Sequence, residues 1–224
     1  MILPAVSSAW PREQNDVYTC PVPSVYALKP AFQGWLRPMV RRFAAAGVTA
    51  NQVTLLACVL SIGLGLLLVL QQGDRRLFLL LPPFLFIRMA LNAVDGMLAR
   101  EFGQKSALGA YLNELTDVVS DSFLYLPFAY LPEFDALWIG VVIVLAVISE
   151  MTGAVGLMIG SSRRYDGPMG KSDRAFLFGV AALWIGLGLS IPRPVGVWLT
   201  LAMVALLGLT VVNRARSGLK ESRK

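Results

Sequence analysis

Residues Asn92–Asp121 read NAVDGMLAREFGQKSALGAYLNELTDVVSD. Carboxylates and side-chain amides stand here inside two apolar stretches of membrane length. A charged group at bilayer depth is costly and persists where it faces a protein interior or a wet cavity, which makes it a functional-site candidate. The spacing is helical. Asn92 and Asp95 are three apart, and Gly109, Asn113, Asp117 and Asp121 step by four, so each set lies on one helix face. Two such faces turned toward each other make an oxygen-lined pocket.

The surrounding chain supports a membrane setting. Of its 224 residues 56% are hydrophobic and 15% charged, with a mean hydropathy of +0.63, against about 45–50% and about 25% in soluble domains. The excess falls into six apolar runs near the roughly 20 residues a bilayer requires. They predict transmembrane helices over about 53–70, 77–99, 107–131, 136–160, 175–191 and 194–213. Small residues four apart, Ser61 with Gly65 and Gly186 with Ser190, suit close helix approach. Before the runs, residues 28–46 mix Phe32, Trp35, Leu36, Met39, Val40 and Phe43 with Lys29, Arg37, Arg41 and Arg42. This predicts an amphipathic helix in the membrane interface, bent at Pro38. Residues 1–27 read as a polar, Pro-containing tail, 47–215 as the membrane domain and 216–224 as a basic tail.

Orientation follows from Lys and Arg. With the N-terminus inside, the inner segments hold sixteen and the outer loops three, Arg75, Arg76 and Arg193. Both termini are therefore expected in the cytoplasm. The short connection Arg100–Ser106 pairs the second and third spans antiparallel, so Asp95, Asn113 and Asp117 share one depth near the cytoplasmic surface. The net charge of +6 and pI of about 9.6 belong to topology and anionic lipid heads rather than nucleic acid. The chain has no histidine, which excludes His-based catalysis and His-ligated zinc. Oxygen ligands suit Mg²⁺, Mn²⁺ or Ca²⁺.

The segment's pattern is Asp95-Gly96-x2-Ala99-Arg100-x8-Gly109-x3-Asn113-x3-Asp117, with Asn92 three residues upstream. It resembles the signature of the CDP-alcohol phosphotransferase (CDP-alcohol phosphatidyltransferase) family, D-x2-D-G-x2-A-R-x8-G-x3-D-x3-D, in six of eight fixed positions. Asn51-Gln-Val-Thr54 also resembles the family's lead into its first span. The likeness covers roughly residues 30–215. It implies an integral membrane enzyme, expected in a bacterial inner membrane with the site facing the cytoplasm. Such an enzyme transfers a phosphatidyl or substituted phosphoryl group from CDP-diacylglycerol or another CDP-alcohol to an alcohol acceptor and releases CMP. It further implies one or two Mg²⁺ or Mn²⁺ ions at positions 92, 95, 113 and 117, Asp117 as general base, nucleotide contacts at Gly96, Ala99, Arg100 and Gly109, and a homodimer. The glycines remove Cβ atoms where nucleotide and backbone come close, and an arginine fork suits phosphate.

The departures lie at Asn92 and Asn113, where the signature has aspartate. An amide oxygen still coordinates a hard cation, but each change removes a negative charge. Three readings stay open: a mixed Asp/Asn metal shell, Asp121 as a shifted ligand or base, or a catalytically silent relative. Glu114 points about 100° away from Asn113 around the helix. A cation or proton transporter is a further alternative, against which stand acids at one depth and no visible repeat. The basic connection Ser161–Arg174 offers Arg163, Arg164, Lys171 and Arg174 to substrate phosphate and points to a phosphorylated acceptor. Glu150, inside the fourth span, is expected to pair with Arg88 or a pocket arginine.

Overall fold

The computed structural model describes residues 29–71 and 73–223, and within them every regular element is helical. The helices are α1 (Lys29–Ala45), α2 (Ala50–Leu70), α3 (Leu81–Glu101), α4 (Ala107–Tyr125), α5 (Ala136–Val155), α6 (Lys171–Gly186) and α7 (Arg193–Glu221). Short 3-10 stretches precede α3 (Arg75–Leu80) and follow α4 (Leu126–Tyr130) and α5 (Gly156–Ile159). The tail expected over 1–27 lies outside the described residues.

Local chemistry sets the boundaries. Thr49 and Gln52 form a reciprocal capping box at the start of α2. Ser106 Oγ accepts from the Gly109 N–H at the start of α4, and Asp135 Oδ1 accepts from Leu137 N–H at the start of α5. Helix α6 begins at Lys171, four residues before the expected span, because the Asp173 carboxylate accepts from the Gly170 N–H at 2.8 Å. Helix α7 continues to Glu221, past the expected end near 213 and into the stretch taken as a tail. Its added turns are held to the bundle by buried Arg214, while Glu221 accepts from the Ser162 N–H. Gly160 ends the α5 extension at φ +79°, a left-handed conformation that glycine adopts without strain.

Four helical segments are long and apolar enough to cross a bilayer: Ala50–Leu70, Arg75–Glu101, Ala136–Ile159 and Arg193–Glu221. Helix α4 carries Glu114, Asp117 and Asp121, and α6 has 16 residues. Length and composition alone therefore do not make these two spans. Helix α1 lays Leu36, Met39, Val40, Phe43 and Ala44 against Val94, Met97 and Leu98 of α3. Arg37 holds Glu101 through two hydrogen bonds at 3.1 and 3.0 Å. Gly65 of α2 lies so near the Phe123 carbonyl that a Cβ would overlap the backbone, the close approach that the Ser61/Gly65 pair predicted.

An apolar core is built on Leu68, Phe78, Leu124, Tyr125, Phe128, Phe178, Ile185 and Leu207. Tyr125 stacks on Phe178 with ring centroids 4.0 Å apart, and Phe128 meets Phe78 edge-on. Asp121 is one helical turn before Tyr125. The cluster of buried charges that includes Arg88, Glu150, Arg174 and Arg214 starts there.

Candidate active site

Helices α3 and α4 place the predicted residues. Asp95 is buried, and its Oδ2 accepts the Thr54 hydroxyl of α2 at 2.7 Å. Asn92, one turn earlier, turns its amide nitrogen to Asp117 Oδ1 at 3.1 Å. Across the α3–α4 pair, Asn92 and Asp117 thus meet. The same Asp117 oxygen receives Lys171 Nζ from the start of α6 at 2.5 Å and Arg88 Nη2 at 3.3 Å. Three donors thus share Oδ1, while Asp117 Oδ2 has no hydrogen-bond partner among the described residues.

Asp121 sits in a different environment. Its Oδ1 takes Arg88 Nη1 at 2.6 Å and its Oδ2 takes Arg174 Nη2 at 3.1 Å. Both arginine side chains are almost wholly buried, at 4% and 0% exposure. Arg174 also reaches Glu150 Oε1 at 3.1 Å, while Glu150 Oε2 lies 3.3 Å from Arg163 and 3.4 Å from Arg214. Glu150 therefore pairs with three pocket arginines, and Arg88 goes instead to the two aspartates of α4. Arg163 grips Glu114 at 2.6 and 2.8 Å. Burial is the largest influence on the Arg163 cation and opposes it, but the hydrogen bond to Glu114 and the attraction of Tyr165, Glu114 and Glu150 together outweigh it and raise its pKa. Arg164 is tied to Asp166 at 2.8 Å and Glu221 at 2.5 Å, and the hydrogen bond to Asp166 raises its pKa as well.

Of the four basic residues offered to substrate phosphate, Arg163 and Arg174 are thus committed to buried or half-buried carboxylates, Arg164 to the more exposed Asp166 and Glu221, and Lys171 to Asp117. Arg88, Arg163, Lys171, Arg174 and Arg214 pair with Glu114, Asp117, Asp121 and Glu150, while Asp95 is held by Thr54. Among the described residues no three Asp, Glu, Cys or His side chains gather as a metal-binding group. Asn113 is exposed and Arg100 is exposed, while Ala99 is half-buried. An ideal Cβ on Gly96 would stand 3.0 Å from Arg100 Nη2, and one on Gly109 would stand 2.9 Å from Asn51 Oδ1. The two signature glycines thus leave room for an arginine fork and for the amide of Asn51.

Sequence reasoning left out Asn51, Thr54, Glu114 and Arg214 as site residues. The signal for the first two was the Asn51-Gln-Val-Thr54 stretch, which resembles the family's lead into its first span. Gln104 holds the start of α2: its Oε1 accepts from the Ala50 N–H at 2.7 Å, and its Nε2 donates to Val48 O at 3.3 Å.

The profile of CDP-alcohol phosphatidyltransferases matches residues 47–212. The chain belongs to the CDP-alcohol phosphatidyltransferase family. It is 48% identical over 198 residues to the inner membrane protein YnbA of Escherichia coli (strain K12), covering 87% of this chain and 96% of that protein. An uncharacterized protein of Aquifex aeolicus (strain VF5) is 34% identical over 104 residues, which cover 46% of this chain and 49% of that one. The fold is similar to that of phosphatidylinositol phosphate synthase (PgsA1) of Mycobacterium tuberculosis. The manganese and citrate complex aligns with a TM-score of 0.67 at 18% identity, over 81% of this chain and 88% of that chain. The form with CDP-DAG bound aligns with a TM-score of 0.59 at 19% identity, over 83% and 92%.

Proposed function

We propose that this family member transfers a phosphatidyl or substituted phosphoryl group from a CDP-linked donor, of the CDP-DAG class, to an alcohol acceptor and releases CMP. The observation that carries the reading is the convergence of Asn92 and Asp117 across α3 and α4 at 3.1 Å, with Gly96, Ala99, Arg100 and Gly109 in signature register around them. In the reaction the acceptor oxygen forms a bond to the β-phosphorus of the donor. The bond from that phosphorus to the CMP oxygen breaks, and its electron pair leaves on CMP. Asp117 Oδ2, free of hydrogen-bond partners among the described residues, takes the acceptor proton. Arg100 supplies forked donors to the diphosphate, and the open space at Gly96 lets its guanidinium lie along α3. Asp121 has both oxygens on buried arginines, which makes it an anchor for Arg88 and Arg174 rather than a base.

The donor set fits a divalent ion. Asp95 and Asp117, with the amide oxygens of Asn92 and Asn113, are the hard oxygen ligands that would hold it. Mg²⁺ or Mn²⁺ bound there would neutralise the diphosphate and the departing CMP.

The membrane arrangement belongs to the same proposal. Six spans are formed if α4 and α6 cross with the apolar helices they pack on, α2, α3 and α5. The positive-inside count then puts both termini and the site mouth in the cytoplasm, with α1 in the interface. The likeness to an inner membrane protein supports that membrane. A homodimer through membrane helices completes the reading. The amides at 92 and 113 favour one competitor, a catalytically silent relative. Purified protein in nanodiscs with CDP-diacylglycerol, Mg²⁺ or Mn²⁺ and a panel of alcohols decides: CMP release with at least one acceptor is expected, and none with any would leave the silent relative.

A further inference from the structure

We infer that Lys171 acts as a built-in counter-ion for Asp117, so that the divalent ion enters only together with the donor's diphosphate. The inference rests on the proposed donor chemistry. Its basis is the crowding of one carboxylate oxygen: Lys171 Nζ at 2.5 Å, Asn92 Nδ2 at 3.1 Å and Arg88 Nη2 at 3.3 Å all meet Asp117 Oδ1. A cation approaching Asp117 alone meets an ammonium and a guanidinium already in place. Of the other charges nearby, Asp121 is committed to Arg88 and Arg174, which leaves Asp95 as the second carboxylate at family positions. Asp117 already has two cations beside it, which leaves little of its charge to hold a divalent ion.

A diphosphate supplies the negative charge instead. Lys171 is partly exposed, at 28% of its side chain, and sits on the first turn of α6. Its flexible stem lets the ammonium swing from Asp117 to an arriving phosphate oxygen. That movement frees Asp117 for the metal and for the acceptor proton in one event. Lys171 thereby couples donor loading to metal loading and guards the base until both are present. Arg88 stays behind because its second nitrogen is fixed on buried Asp121 at 2.6 Å.

The test is a Mn²⁺ titration of the full-length protein in nanodiscs, followed by the electron paramagnetic resonance of free Mn²⁺, with and without CDP. The expected result is binding at least about tenfold tighter with CDP present. Lys171→Gln should tighten binding of Mn²⁺ alone by about tenfold or more, since it removes the competing charge. Asn113→Asp, at an exposed position that leaves Lys171 intact, should also tighten binding without CDP. Equal Mn²⁺ affinity with and without CDP would overturn the inference, as would unchanged affinity in Lys171→Gln. CMP release assayed on the same samples separates the two readings. Release together with CDP-independent Mn²⁺ binding overturns only the counter-ion role, while CDP-dependent binding without release overturns only the transferase.

Discussion

Asp121→Asn tests whether the second acidic residue of α4 anchors the bundle or does chemistry. In the native protein its two oxygens receive Arg88 at 2.6 Å and Arg174 at 3.1 Å, and the arginine side chains are 4% and 0% exposed. The amide keeps one acceptor oxygen, but it places an NH₂ donor against the other guanidinium and removes the charge. Breaking a buried ion pair in this way costs about 3–5 kcal/mol, since the surviving partners stay desolvated without compensation. At roughly 2–4 °C per kcal/mol for a chain of this size, the melting temperature should fall by roughly 6–20 °C. Asp117→Asn should behave in the opposite manner. Its side chain is 23% exposed and it retains an acceptor oxygen, so stability should change by less than about 1 kcal/mol. If Asp117 is the proposed base, CMP release should fall by at least about 100-fold. Thermal unfolding by circular dichroism in one lipid or detergent system, paired with the CMP assay, reads both. A stable Asp121→Asn protein without activity, beside a destabilised but active Asp117→Asn protein, would refute the division of roles.

Other perturbations probe the supports of the site. Thr54→Val removes the hydroxyl that Asp95 accepts at 2.7 Å, at a cost of about 1–3 kcal/mol for a buried hydrogen bond to a charged group; CMP release should fall and Thr54→Ser should restore it. Gly65→Ala sets a methyl group against the Phe123 carbonyl, and the melting temperature should drop with a loss of about 1–3 kcal/mol. An unchanged value would deny the close α2–α4 contact. Arg164→Ala breaks pairs with Asp166 and Glu221, whose side chains are 38% and 40% exposed. It should cost no more than about 1 kcal/mol and less as salt rises, seen as a small melting shift that shrinks at high ionic strength. Because Arg163, Arg164 and Arg174 are held by carboxylates, an unphosphorylated alcohol should support CMP release at least as well as its phosphate ester. A strict requirement for the ester would show that this network opens to substrate.

The sequence by itself determined the parts that depend on near neighbours. A three- or four-residue step puts Asn92 with Asp95, and Asn113 with Asp117, on one face of a helix whatever the rest of the chain does. Apolar runs of bilayer length announced the helices, while the caps Thr49, Ser106 and Asp135 came with the structure. The signature residues were legible because motif spacing survives in one dimension. Helix ends at 171 and 221 were less so, because a cap by Asp173 and a long-range anchor by Arg214 extend helices beyond their apolar cores.

Only the tertiary structure decided which charges meet. Arg88 and Asp121 are 33 residues apart, and Arg174 and Asp121 are 53 apart. Arg214 reaches Glu150 from another helix altogether. Partners at such separations are chosen by how the helices pack, and ion pairing inside a low-dielectric interior then fixes each group's role. That choice made Asp121 an anchor, drew Glu150 to three arginines, and left Asp117 with one crowded and one open oxygen. The acids of Asn92–Asp121 were visible as a row of equals, and their neighbours in space made them different.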